Sequence, residues 1–266
     1  MTRLDITRVR AVIGKELRDY RRKRAIVVTM LILPVIFLVQ PVVTLFVASA
    51  STSSSNLDKY VTFPLLYLLL LPVIMPSTLA AYTVAGEREQ GTLEPLLSTP
   101  IRRQEFIVGK AAAVMIPTLV LCYAVFGLFL AAVRLFARAA VASAVFHQGG
   151  LLLALVLLTP LVAGWAIVVG MAVSVRASEV RVAQQLGILA SLPAIFLVVL
   201  LAADVIQPTT SVAVKFAAGL LAIDVVTLRL VSRMFDPERL LTGAKAVSAR
   251  SDRGSFASRP RRPRDR

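Results

Sequence analysis

The side chains able to do chemistry are few, and their spacing narrows what that chemistry is. His147 is the single histidine and Cys122 the single cysteine of the 266 residues. Alone, neither builds a nucleophile–base pair or a metal site. There is no Gly-x-x-x-x-Gly-Lys-Ser/Thr loop: the pair Gly109-Lys110 is followed by Ala111, so a nucleotide is not held in that way by this chain. Two charges, Lys215 and Asp224, interrupt an apolar run. Nine residues apart at about 100° per residue, they occupy opposite helix faces and do not pair within the helix. A carboxylate at membrane depth is costly, so Asp224 either faces a cavity or an interhelical partner, or lies nearer the interface. A mixed charge cluster, Glu87-Arg88-Glu89 with Glu94, is interleaved with Leu93, Leu96 and Leu97. Acids beside an apolar stripe equip a segment to dock on a partner surface, with charge setting partner choice more than affinity; the blander reading is that they mark a membrane boundary.

The elements that must position these residues are apolar helices. Hydrophobic residues make up 57% of the chain, above the usual share of about 45–50% in soluble domains, and they are gathered into long runs. Six runs are predicted as spans, over 25–48, 60–84, 111–133, 149–175, 186–203 and 212–230. Each is about the length a 30 Å hydrocarbon layer requires, and open sheet edges cannot face lipid. The sequence therefore predicts an all-α membrane protein with six transmembrane helices in one domain, 25–231. Ala48-Ser49-Ala50 has the look of a signal cleavage site, but the apolar stretch before it is longer than a signal core of about 7–15 residues, so it reads as a retained span.

Residues 1–24 place Ile6, Val9, Ile13, Leu17 and Tyr20 along one stripe with basic cover, an amphipathic helix expected to lie in the interface plane. The tail, 232–266, is basic and expected to be disordered from about 248. Assigning segments alternately to the two sides puts 26 of the 30 Lys and Arg residues on one side. By the positive-inside rule that side is the cytoplasm, with both termini there and the chain in the cell (plasma) membrane, multi-pass. The net charge of +15 then reflects orientation and contact with membrane lipid, not nucleic acid.

The segment 86–110 is too patterned for a plain connector. It reads as two short amphipathic helices joined near Ser98-Thr99-Pro100, the second capped by Thr99 or Ser98. Its run of Glu87-Arg88-Glu89, Gly91-Thr92-Leu93-Glu94, Leu96-Leu97, Thr99-Pro100 and Gly109-Lys110 closely resembles the cytoplasmic loop of type-2 ATP-binding-cassette (ABC) transporter permeases. Lys15-Glu16-Leu17-Arg18 is similar to that family's amphipathic helix ahead of the first span, and residues 176–185 to its second cytoplasmic loop.

What the resemblance implies is the permease subunit of an ABC exporter, not itself an enzyme. It would bind no cofactor; ATP and Mg would sit on a separate ABC ATPase subunit, and a second permease subunit would complete a homo- or heterodimer. The loop between spans two and three would carry a coupling helix, at about 87–99, that meets the ATPase. Its residues would be Glu87, Arg88, Glu89, Gly91, Thr92, Leu93, Glu94, Leu96, Leu97, Thr99 and Pro100. Two rival classes are a secondary transporter driven by an ion gradient and a non-transporting membrane assembly factor. The first calls for paired polar breaks in two repeated halves, which the halves here do not display, and the second for clustered ionisable groups.

Overall fold

The computed structural model describes residues 5–46, 57–92, 102–177, 179–202 and 210–234. Their ordered elements are helical. In chain order they are α1 (Ile6–Arg22), α2 (Arg24–Phe46), α3 (Leu57–Tyr67), a 3₁₀ turn (Leu68–Leu70), α4 (Leu71–Ala81), α5 (Ala85–Glu89), α6 (Arg103–Phe136), α7 (Ala139–His147), α8 (Gly149–Arg176), α9 (Val180–Ala190), α10 (Leu192–Ala202) and α11 (Thr210–Met234).

Five stretches are long and apolar enough to cross a bilayer: Ile26–Phe46, Tyr60–Glu89, Gln104–Phe136, Gly149–Arg176 and Val180–Leu200. Three of them coincide with predicted spans one, three and four. The second and fifth are built from broken helices. Proline accounts for one break: Pro72 has no N–H to offer the Leu68 carbonyl, and the chain tightens into the 3₁₀ turn at Leu68–Leu70. The fifth begins earlier than predicted, inside the polar stretch 176–185, and breaks at Ser191 ahead of Pro193. The predicted loop 134–148 contains α7. The sixth predicted span appears as α11, a helix of 25 residues that carries Lys215, Asp224 and Arg229 and falls outside the five.

α8 is the hub, packed against α4, α6, α9 and α11. Small residues permit the close approach that helices in lipid rely on. A Cβ on residue 170 would come within 2.8 Å of Ala80 Cβ on α4, so glycine there is a steric requirement. α4 is buried along nearly its whole length, from Leu71 and Val73 to Ala80 and Ala81. α2, in contrast, exposes Val28, Leu31, Ile32, Val35, Ile36 and Val39, a face with no charged residue and Thr29 as its exposed polar group. Such a surface is what a lipid-facing helix presents.

α1 is the predicted amphipathic helix, but it lies on α6 with Val12, Glu16 and Tyr20 as its buried stripe. Ile6, placed on the apolar stripe from sequence, is 69% exposed. The shift has a steric cause. Gly109 of α6 leaves room for Val12, whose Cγ1 would be 2.7 Å from a Cβ at position 109.

Candidate functional site

Polar groups converge where α1, α5 and the start of α6 meet the ends of α8 and α9. The convergence begins with a backbone problem. The chain turns between α4 and α5 at residues 82–84, which strands helix-terminal N–H and C=O groups. The Ser174 hydroxyl of α8 accepts from Val84 N (3.1 Å) and Ala85 N (2.9 Å) and donates to the Ala81 carbonyl (2.7 Å). The Thr83 carbonyl accepts a bond from Lys110 Nζ. Gly91, at φ +66°, closes α5. Its N–H and that of Thr92 return to the carbonyls of Arg88 (3.2 Å) and Glu87 (3.0 Å), the paired bonds of a Schellman stop.

Held in this way, the three charged residues of α5 each grip a different neighbour. Glu87 Oε1 accepts from Lys15 Nζ of α1 (2.9 Å) and lies 2.8 Å from Lys110 Nζ of α6. Arg88 donates to the Val175 carbonyl (3.0 Å) and to the Ala177 carbonyl, at the C-terminus of α8. Glu89 Oε1 accepts from Val180 N (2.7 Å), the first turn of α9, where a carboxylate also suits the helix dipole. Glu87-Arg88-Glu89 is thus a clamp on α1, α6, α8 and α9. Glu87 is 5% exposed and its Oε1 is held by two lysines of this chain, whereas Glu89 is exposed and holds Val180 N through Oε1.

At the centre of the clamp is an ion-pair quartet in which Lys110, Glu16 and Glu87 are buried and Lys15 is partly exposed. Lys110 has no solvent-exposed surface, and its ammonium lies 3.1 Å from Glu16 Oε1 as well as 2.8 Å from Glu87. Lys15 bridges the same two carboxylates, at 3.2 Å from Glu16 and 2.9 Å from Glu87, and reaches Asp19 at 3.5 Å. The quartet is two lysines and two glutamates, neutral as a set. Lys110 also stands 5.0 Å above the Phe106 ring, a further favourable contact for a buried cation. Burial works against the charge on Glu16, yet Lys110 and Lys15 outweigh it and bring its pKa below the ordinary carboxylate value. Burial opposes charge on Lys15 too, and Glu16 and Glu87 overcome it, raising that pKa. Tyr20, next to the cluster, is raised well above the ordinary phenol by burial and by Glu16, Glu87 and Asp19.

A second link ties α1 to α6. Glu105 accepts from Asp5 N and Arg102 N, both at 3.1 Å, and Arg8 lies 3.7 Å away. Arg102 is therefore the N-cap of α6, which runs on without interruption and replaces the separate second amphipathic helix read from sequence. The remaining residues of the predicted coupling segment, Leu93, Glu94, Leu96, Leu97, Thr99 and Pro100, lie outside the described residues, as does Ser98. So does the basic tail from residue 235 on.

Of the intramembrane candidates, Lys215 is exposed and lines a cavity with Phe216, Gly219, Leu220 and Ile223. Asp224 turns the other way, towards Gly164 of α8. The two do not share a site, as their spacing requires. Glu16 was not among the sequence candidates, although one sign of it was present. It shares a stripe with Val12 and Tyr20 at steps of four, a charge where the helix pattern calls for an apolar side chain.

A bundle of apolar helices, broken and re-bonded by buried hydroxyls and clamped at one end by internal ion pairs, defines a polytopic helical membrane protein. The sequence pattern of the ABC-2 family transporter protein matches residues 10–237, and the chain belongs to that family. No curated protein matches it.

Proposed function

We propose that the chain is the permease subunit of an ABC exporter, working with a separate ATPase subunit and a second permease subunit in the plasma membrane. Membership of the ABC-2 transporter family supports this, and so does the lack of a P-loop at Gly109-Lys110. In this reading α11 is the sixth span, both termini are cytoplasmic, and the segment 87–100 couples to the ATPase.

The observation that carries the coupling role is the clamp itself. A loop that transmits force needs a rigid attachment to the parts it moves. Glu87, Arg88 and Glu89 bond α5 to α1, α6, α8 and α9, so a push on the segment that follows is delivered to four helices together. Glu87 to Glu89 form the inner root of the coupling segment, and Leu93, Glu94, Leu96, Leu97, Thr99 and Pro100 its outer contact. ATP and Mg reside on the partner, and closure of the ATPase dimer tilts the spans through this root.

The test is co-purification of the chain with its ATPase. Deleting residues 93–99 is expected to abolish the complex, and the isolated chain to hydrolyse no ATP. A complex that survives the deletion, or ATPase activity in a preparation free of any partner, overturns the proposal.

A further inference from the structure

Between α6, α8 and α11 lies a cavity of about 290 Å³. Val108, Ala112, Met115, Ile167 and Leu228 make its wall apolar, and Asp224 is the one charged residue that lines it. Asp224 Oδ1 is buried and finds no hydrogen-bond donor among the described residues. The carboxylate has its place because residue 164 is glycine: a Cβ there would stand 2.9 Å from Oδ2. Val225 at the rim is 41% exposed, so the cavity opens on the surface that faces lipid in a bilayer. Two described lysines are turned away or engaged elsewhere. Lys215 lines another cavity, and Lys110 is held by Glu16, Glu87 and Thr83.

We propose that this cavity is a binding site for small amphipathic organic cations, with a protonated amine on Asp224 and its apolar body against Met115 and Ile167. A buried carboxylate oxygen without a donor is costly, and an ammonium supplies both the donor and the opposite charge. A neutral apolar molecule would fill the space but leave Oδ1 unpaired. A bare metal ion is a poor match, since hard cations take about six oxygen ligands and the lining offers a single carboxylate. A few polar atoms within an apolar wall is the usual composition of a small-molecule site. The inference concerns binding by this chain alone and is independent of the export reading.

Trp165 is the only tryptophan of the chain and adjoins Gly164, which gives a local optical readout. The full chain in phosphatidylcholine vesicles, without any ATPase, is titrated with 4-bromo-N,N-dimethylbenzylamine and with its neutral isostere 1-bromo-4-isobutylbenzene. The amine is expected to quench Trp165 saturably. Asp224→Asn should weaken that binding by about 30-fold or more, as for loss of one partner of a buried charge pair, while Asp224→Glu retains it. The neutral isostere should quench both proteins alike and without saturation. If Asp224→Asn does not fold, Ala112→Phe, which fills the cavity, must weaken the amine to the same degree. Equal amine binding by wild type and Asp224→Asn overturns the site, as does saturable binding of the isostere at the same midpoint. Loss of a chemically cross-linked dimer on Asp224→Asn, with no saturable quenching by the amine, overturns it in favour of a second copy of the chain.

Discussion

Lys110 reaches no solvent, and two carboxylates stand within 3.1 Å of its ammonium. Replacing it with methionine leaves the buried carboxylates of Glu16 and Glu87 to share the partly exposed Lys15, one negative charge in excess. Loss of one partner from a buried pair costs about 3–5 kcal/mol, so Lys110→Met should lower stability by that order in denaturant titrations of the detergent-solubilised chain. Glu87→Gln in the same chain restores a one-to-one balance of Lys15 and Glu16. The double variant should therefore be more stable than Lys110→Met alone, a non-additivity that a purely steric role for Lys110 would not produce. Gly109 offers a second residue-scale test. Gly109→Ala places a Cβ 2.7 Å from Val12 Cγ1 and should speed amide exchange in residues 6–22 while leaving α8 unchanged. Gly14→Ala meets nothing within 4 Å and is the control, expected to stabilise α1 by about 0.5–1 kcal/mol through helix propensity.

At the scale of the element, α1 is held to the bundle by its ion pairs as well as by Val12 and Tyr20. Glu16 titrates lower in the folded protein than as a free side chain, so its contribution is fully present above the ordinary glutamate value of 4.5 and is lost as pH falls through the lowered one. Lys15 has the opposite sign. Its raised pKa makes its contribution complete below the ordinary 10.5 and lost only as pH rises through the raised value. Across neutral pH both are in force. Amide protection of α1 is accordingly expected to be flat from pH 7 down to the ordinary glutamate value and to collapse at more acid pH. In Glu16→Gln the collapse should be much reduced; an unchanged acid transition in that variant would remove Glu16 from the account. α5 is too short to hold itself together, with five residues closed by Gly91, and its order depends on the side chains it grips.

At the scale of the molecule, the bundle is organised on α8, and the clamp gathers α1, α5, α6 and α9 at the end of α8 that carries Arg176. Topology is the property most open to direct measurement. Three apolar stretches, Gln104–Phe136, Gly149–Arg176 and Val180–Leu200, separate Gln90 from Ser211, so as crossing helices they put the two residues on opposite sides of the membrane. A single thiol at Gln90 should react with an impermeant reagent only from the cytoplasm, and one at Ser211 only from outside, each made in a Cys122→Ala background. Labelling of both from the same side would mean that one of those three stretches does not cross.

Helical class, membrane residence and most of the crossings were legible in the sequence, because lipid leaves an apolar run of sufficient length one way to satisfy its backbone. The family was legible too, carried by Glu87-Arg88-Glu89, Gly91-Thr92 and Gly109-Lys110. What those residues do was not. Glu87 and Lys110 stand 23 positions apart and Glu16 lies 71 before Glu87; a one-dimensional pattern records that each is charged but not that they face one another across α1, α5 and α6. The helix breaks near 70 and 191 were signalled by Pro72 and Pro193, whereas the bonding of the turn at residues 82–84 by Ser174 and Lys110 depended on α8 and α6 arriving beside it. Period and hydropathy act locally along the chain. Burial of a charge is decided by what packs around it, and that is settled only when the helices meet.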